Sequence, residues 1–188
     1  MLTRLAIFAC LASVTRALQP RSISRRGALC TFASAATAPT LPLLAAEPPP
    51  FSKRANLSPD AIAKIVREDI ETNQFLVTGT LTRDIYDESC TFTDEIDTYT
   101  LDKWIKGTGA LFVGDKSHVD IVGDVEATDA EVKFRFSETL AFNLPLLKPK
   151  VPLTGTLILS RDPATGLIVK YKEIWDTGVA ETLSKAYL

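Results

Sequence analysis

Three acidic side chains occupy positions that strand alternation assigns to an apolar face. Glu173 lies in the stretch 166–176, Glu138 in the stretch 132–142, and Asp94 in a shorter alternating run. Burial disfavours the charged form of a carboxyl group and therefore raises its pKa, by up to about 3 to 5 units when the group is fully buried. A carboxyl tuned in this way accepts and returns a proton near neutral pH, which is general acid/base chemistry. The alternative is that each acid lies near a cavity mouth or pairs with Lys or Arg.

The loops on either side of the central strand indicate how the strands align. If 143–150 and 162–166 are the hairpin loops, Gly155 faces Glu138 on one side and Glu173 on the other. With neighbouring strands about 4.8 Å apart, the two acids would lie roughly 10 Å apart across the glycine. We expect a pocket at this row of the sheet. A one-residue error in the register would move the whole set to the opposite face.

Other residues on these faces, and in a preceding helix, are candidates to line the pocket. They are Trp104, Phe134, Phe136, Gly155, Leu157, Tyr171 and Trp175. Aromatic rings at this spacing are also typical of an ordinary protein core. Tyr86 and Tyr99 are candidate hydrogen-bond donors to a substrate carbonyl, and the alternative for both is a place at the surface.

The loop around residues 143–152 is long for a hairpin connection and is rich in leucine and proline. Its leucines are Leu144, Leu146 and Leu147. Leucines exposed on a loop stiffened by proline predict a lid over the pocket, a dimer contact or a contact with a membrane surface. The alternative is that they pack against their own loop.

Charge and cysteine usage narrow the function classes. The chain has 21 Lys and Arg against 23 Asp and Glu. Five of the basic residues and none of the acidic ones precede residue 47, so the remainder has a net charge of −7, which disfavours nucleic-acid binding. Cys90 is the one cysteine and His118 the one histidine after that point. We therefore expect no disulfide, no metal site and no cofactor.

The first 46 residues contain Arg but no Asp or Glu, which is typical of a targeting segment. Residues 1–17 are predicted to be a secretory signal peptide and residues 18–46 a plastid transit segment, in which Arg25-Arg26 precedes an Ala-rich run like a thylakoid transfer signal. This arrangement resembles the two-part leader of algae with secondary plastids. It predicts a plastid, with the thylakoid lumen as a further expectation. A plain secretory signal followed by a disordered linker is the alternative.

No transmembrane anchor is expected, because prolines interrupt the second apolar run at Pro39 and Pro42. Residues 47–57 are predicted to be a linker and residues 58–188 one domain. A helix should begin at Ser58, a good N-cap that precedes a proline. The pattern continues as short strand, helix and four antiparallel strands, which is an α+β order. We expect N-terminal helices to cover one face of a curved antiparallel sheet of four to six strands.

This order, with acids on the inner face, resembles the NTF2-like superfamily, which includes SnoaL-like cyclases, ketosteroid isomerases and scytalone dehydratases. More closely, the chain is similar to a plant and cyanobacterial family of that superfamily, DUF2358, over about residues 60–185. The matching segments are 66–69, 92–94, 144–152 and 166–175. The chain departs from that family at Glu95, where Pro is usual, and at Glu173, where Asp is usual. The resemblance implies a cone in which a bent sheet surrounds a pocket plugged by helices, and a homodimer formed through the sheet exterior.

Three functions agree with these expectations. The first is a module that binds a small apolar molecule, such as a pigment, a lipid or an isoprenoid fragment. The second is a cofactor-free lyase or isomerase with Glu138 or Glu173 as base and a Tyr or second acid as donor. The third is an assembly or interaction factor for a photosynthetic complex that uses the leucine-proline loop. We favour the binding module, because three acids without a histidine or metal make a limited catalytic set and a fold alone assigns no function.

Overall fold

A computed structural model describes residues 52–188. The expected signal peptide (1–17) and transit segment (18–46) lie outside the described residues, as does the first part of the linker expected at 47–57. Within the described range, no helix is both long and apolar enough to cross a membrane.

Helix α1 spans Pro59–Glu71 and begins where the sequence predicts. Ser58 is the N-cap, and its side-chain oxygen accepts a hydrogen bond of 3.3 Å from the Ala61 N–H. This bond satisfies one of the backbone donors that every helix start leaves unpaired. The buried stripe of the helix consists of Ile62, Val66 and Ile70, and it faces the sheet.

The remaining elements follow in chain order. They are α2 Phe75–Thr78, β1 Tyr86–Thr93, β2 Thr98–Thr100, α3 Leu101–Leu111, β3 His118–Ala127, β4 Glu131–Ala141, β5 Lys150–Arg161, β6 Ile168–Trp175 and α4 Val179–Ser184. The strands form one six-stranded sheet in the order β2-β1-β6-β5-β4-β3. The predicted fold class is confirmed: the chain is α+β, with a curved, largely antiparallel sheet and few helices.

One pairing differs from the expected all-antiparallel sheet. Strands β1 and β6 run parallel, and Phe92 lies opposite Tyr171. The two rings stack with centroids 4.7 Å apart, and Trp104 of α3 also stacks on Phe92, at the same centroid distance. Such a pairing depends on packing between distant segments, which strand alternation does not encode.

The register between β4 and β5 is two residues away from the expected one. Glu138 lies opposite Leu153, and Phe136 lies opposite Gly155. The loop is shorter than expected because the Phe142 N–H donates to the Pro149 carbonyl at 2.9 Å, which extends the paired region. A proline cannot donate to a ladder but can accept, so Pro149 marks no loop boundary here.

The register between β5 and β6 is also shifted. Glu173 lies opposite Leu157, and Gly155 lies opposite Trp175. A β-bulge next to Ser160 and Arg161 adds an extra residue to one side of the pair. The bulge also interrupts the alternation locally, since the adjacent residues Leu167 and Ile168 are both buried.

The expected row of Glu138, Gly155 and Glu173 is therefore wrong. The two acids are displaced by four positions along β5, which is roughly 13 Å of strand. No open gap exists at Gly155 either, because the ring of Phe136 lies over it, 2.8 Å from where a Cβ would stand. Both acids nevertheless lie on the buried face, with 5% and 9% exposure for Glu138 and Glu173.

Candidate functional site

An apolar cavity lies between the inner face of the sheet and helices α3 and α4. It has a volume of about 100 Å³, and its walls are built mainly of aliphatic and aromatic side chains such as Leu111, Leu140, Leu153 and Leu183. Asp94, Glu138 and Glu173 reach this same cavity from three different segments of the chain. The structure thus brings the three candidate acids together, although not through the register that the sequence suggested.

Glu173 is held in place by two hydrogen bonds from its own strand. The Tyr171 hydroxyl donates to one carboxyl oxygen at 2.5 Å, and the Trp175 indole N–H donates to the other at 2.6 Å. Residues two apart on a strand point to the same face, so β6 supplies both donors and the acceptor. Burial raises the pKa of Glu173 to about 7, while the bond from Tyr171 acts in the opposite direction. The group is therefore fixed in orientation and titrates near neutrality.

Glu138 has no hydrogen-bond partner among residues 52–188, although only 5% of it is exposed. Burial, and then the charge of Glu173, raise its pKa well above the ordinary value. Unpaired polar groups inside proteins are rare because each one costs the free energy of its lost hydration. In residues 52–188 only the Tyr86 hydroxyl is fully enclosed without a partner, so the Glu138 oxygens open onto the cavity. A neutral Glu138 presents an O–H donor and a carbonyl acceptor to whatever occupies the cavity.

Asp94 stabilises the turn between β1 and β2. One carboxyl oxygen accepts hydrogen bonds of 2.8 Å from the backbone N–H groups of both Ile96 and Asp97. Its pKa is raised by burial, against the lowering effect of these bonds. The side chain caps the turn and at the same time forms part of the cavity wall.

Tyr99 is a cavity residue that the sequence indicated only as one of two candidate donors. It is half-buried in β2, it lines the cavity, and its hydroxyl has no hydrogen-bond partner within the described part of the chain. Burial, and then the charge of Asp94, raise its pKa. The other candidate, Tyr86, is fully buried in the core and does not reach the cavity.

The seven predicted lining residues divide into two groups. Trp104 and Trp175 lie in the cavity wall. The other five do not line the cavity, so that part of the prediction is wrong; they are Phe134, Phe136, Gly155, Leu157 and Tyr171. They lie on the buried face of the sheet, as predicted, but they are packed within the core and do not line the cavity. Tyr171 still contributes through its bond to Glu173.

The three leucines of the leucine-proline loop differ in how far they are exposed. Leu144 is 8% exposed and belongs to the core, so the expectation that it is exposed is wrong. Leu146 is fully exposed, in the left-handed backbone region with φ of 66°, and Leu147 is 40% exposed. The base of the loop, at Phe142 and Val151, lies in the cavity wall.

The pKa of Glu173 predicts how stability depends on pH. Because the folded-state pKa is raised, the stabilising contribution is fully present below the unfolded value of about 4.3 and is lost as the pH rises through about 7. At about 1.4 kcal/mol per pKa unit, the full loss amounts to roughly 3 to 4 kcal/mol, of which about 2 to 3 kcal/mol falls between pH 5 and pH 8. Urea unfolding of the native protein and of Glu173→Gln, at about pH 5 and about pH 8, measures it. Equal pH dependence in the two proteins would contradict this assignment.

No group of three or more His, Cys, Asp or Glu side chains in the described residues is arranged to hold a metal ion. No protein-family model matches the chain, and no curated protein sequence matches it. DUF2358 membership therefore stays a prediction.

Several solved structures resemble the chain in fold. A hypothetical protein with a ketosteroid isomerase-like fold from Catenulispora acidiphila has a TM-score of 0.47 and 13% identity, over 69% of this chain and 93% of that chain. An NTF2-like protein from Anabaena variabilis has a TM-score of 0.39 and 17% identity, over 55% and 80%. A SnoaL-like polyketide cyclase from Jannaschia has a TM-score of 0.40 and 12% identity, over 58% and 85%. At these levels the likeness carries no argument about activity.

Proposed function

We propose that this protein binds a small, largely apolar molecule in the cavity, with a polar group of the ligand against Glu138. The observation that carries this proposal is the buried Glu138 carboxyl, which faces an apolar cavity without a partner in the described chain. A ligand that hydrogen-bonds to it would remove the cost of leaving the group unpaired. Ligand sites generally have this form, with apolar walls and a few polar groups that fix orientation.

The size of the cavity limits what it can hold. Its volume of about 100 Å³ is close to that of engineered cavities of about 150 Å³ that take up benzene. A single ring or one isoprenoid unit fits this space, whereas a whole pigment or lipid does not. Among the classes expected from the sequence, we therefore favour a small isoprenoid-type or ring-containing molecule, or one such group of a larger ligand that protrudes through the opening.

A variant that fills the cavity tests this proposal. Thr108 lies in the cavity wall on α3, and its hydroxyl has no hydrogen-bond partner among the described residues, so Thr108→Phe adds a ring without breaking a bond. We expect it to weaken binding of small probes such as benzene, cyclohexanone and isoprenol by at least about tenfold, since one ring fills most of the space. Tryptophan fluorescence is a suitable measurement, because both tryptophans of the chain, Trp104 and Trp175, line the cavity.

Thr139→Phe is the matched control for this variant. Thr139 lies on the opposite face of β4 from Glu138, outside the cavity wall. This variant should bind the probes as the native protein does. Absence of binding by the native protein, or equal weakening in the two variants, would reject the proposal.

Acid/base catalysis is a second candidate, and the geometry of Glu173 favours it. Its carboxylate is oriented by Tyr171 and Trp175, and its pKa of about 7 suits a general base. In an isomerisation or elimination, Glu173 would take a proton from carbon while Tyr99 or Glu138 gives one to the substrate oxygen. Glu173→Gln should then lower kcat by about a hundredfold or more with little change in ligand affinity. Unchanged turnover of an identified substrate by this variant would reject catalysis by Glu173.

We also propose that the protein acts in a plastid as an NTF2-like protein related to DUF2358. The composition of residues 1–46 and the motifs described above support this. A fluorescent protein fused after residue 46 would localise to plastids if the leader works as expected, and secretion of the fusion would refute it. The lumen, a homodimer through the sheet exterior and a contact with a membrane surface stay further predictions.

A further inference from the structure

The cavity wall contains acids and aromatic rings but no basic side chain. Its acids are Asp94, Glu138 and Glu173, and its aromatic residues are Tyr99, Phe112, Phe142 and the two tryptophans, Trp104 and Trp175. Among the described residues that line it there is no Lys, Arg or His. Buried carboxyls in proteins are usually paired with a cation or fully hydrogen-bonded. When these acids ionise, the cavity therefore has a negative potential without a cation in its own wall to balance it.

Groups on the neighbouring segments also determine the charge around the cavity. The turn between β1 and β2 contributes the charges of Asp94 and Glu95, which both raise the pKa of Glu173. Strands β2 and β6 contribute the hydroxyls of Tyr99 and Tyr171, which are neutral near pH 7. Helix α3 places Lys103 in a shallow groove that adjoins the cavity at Asp94, outside the cavity wall. The inner end of the cavity, where Glu138 lies, receives no cationic group from β4, β5 or α4 in the described residues.

We propose that the ligand of this cavity is a small organic cation, an alkylammonium ion with its charge spread over methyl or methylene groups. This inference rests on the proposed function and names the chemical class of the ligand. Glu138 differs from the other two acids, because it is buried, faces the cavity and has no hydrogen-bond partner in the described chain. An ammonium ion beside it would stabilise the ionised carboxylate and form an ion pair with it.

Each part of the wall suits such an ion. Its alkyl groups would contact the leucine side chains. The wall also contains Trp104 and Trp175, and a cation is attracted to the electron-rich face of such a ring. Alkylammonium ions are weakly hydrated, so entry into an apolar space costs them less than it costs a metal ion. Aromatic residues combined with carboxylates form sites for quaternary ammonium ligands in other proteins. The cavity volume of about 100 Å³ excludes large cations.

Binding of a cation would be linked to release of protons. An ammonium ion would stabilise the charged form of Glu173 and Glu138, whose pKa values are both raised by burial. Affinity for a cation that does not itself titrate should therefore increase with pH on either side of the Glu173 pKa of about 7. A neutral ligand that accepts a hydrogen bond from a protonated carboxyl shows the opposite dependence.

Choline and its neutral analogue 3,3-dimethylbutan-1-ol test the proposal, since the two have nearly the same shape and differ in charge. We expect choline to quench or shift the tryptophan fluorescence and to bind at least about tenfold more tightly than the alcohol, a ratio typical of one added electrostatic contact. Its affinity should rise between about pH 6 and about pH 8, whereas that of the alcohol should not.

Two variants locate the contact. Glu138→Gln keeps the shape of the side chain but removes its charge, and it should weaken choline binding about tenfold without weakening binding of the alcohol. Glu131→Gln, at an exposed position of the same strand, is the control and should change neither. Choline binding that is insensitive to Glu138→Gln would overturn the assignment of this cavity as the cation site.

The remaining outcomes separate this inference from the proposed function. If the alcohol binds as tightly as choline, or more tightly at low pH, the carboxyls act as neutral donors and the ammonium inference is wrong, while binding of a small apolar molecule stands. If neither choline, the alcohol nor the neutral probes named above bind, both proposals fail together.

Discussion

Replacing Arg161 by methionine should lower the free energy of unfolding by about 3 to 5 kcal/mol. The guanidinium donates hydrogen bonds to the carbonyls of Leu57, Thr128 and Gly166 at 2.6, 2.8 and 3.0 Å. These carbonyls belong to the segment before α1, the β3–β4 turn and the β5–β6 loop, so one side chain joins three parts of the chain. Only 2% of the side chain is exposed. The variant leaves three carbonyls without their donor, and urea unfolding measures the cost.

Arg135→Met is the matched control for this prediction. Arg135 lies on β4, and it pairs with Asp176 at 2.5 Å on the outer face of the sheet, where half of its side chain is exposed. An exposed ion pair contributes at most about 1 kcal/mol, so this variant should be nearly as stable as the native protein. Equal losses in the two variants would show that Arg161 does not act as the internal link.

Gly155→Val should destabilise the protein by about 3 kcal/mol or more. A Cβ at this position would stand 2.5 Å from the carbonyl oxygen of Ile174 and 2.8 Å from Cζ of Phe136. The first contact is with backbone and cannot be relieved by a rotamer change, so the sheet itself would have to move. Thermal or urea unfolding of the variant measures the effect, and failure to express as a folded protein is the extreme of the same result.

A second glycine gives a control with the opposite sign. Gly107 lies inside α3, and a Cβ there would meet nothing within 4 Å. Alanine has the higher helix propensity, so Gly107→Ala should stabilise the protein by about 1 kcal/mol. If Gly155→Val were tolerated as well as Gly107→Ala, the close packing of Phe136 against β5 would be disproved.

The correct parts of the sequence prediction, the buried faces of the strands and the start of α1, rest on strand alternation and on a helix cap. The alternation of residues 132–142 and 166–176 placed Glu138 and Glu173 on the buried face, because that property depends only on each strand. Ser58 and its neighbours gave the start of α1 through a local hydrogen bond. These signals act within a few residues and can be read directly from the chain.

The features that the sequence did not predict depend on contacts between distant segments. The ladder extension through Pro149 and the parallel pairing of β1 with β6 change which residues are neighbours without altering a local pattern. The bulge near Ser160 interrupts the alternation, because Leu167 and Ile168 are both buried. The candidate site shows the same division. Its acids and tryptophans were identified, but five other expected residues lie in the core, and Tyr99 was not distinguished from Tyr86.

Native mass spectrometry of the protein purified from its own cells, followed by denaturation, tests most directly whether the cavity binds a small molecule. We expect the native protein and Thr139→Phe to release the same small molecule, in about one copy per chain, and Thr108→Phe to release none. Its charge and mass would show whether it is an organic cation. A native protein that carries no small molecule, or a ligand that Thr108→Phe retains unchanged, would contradict the proposal that this cavity is the functional site.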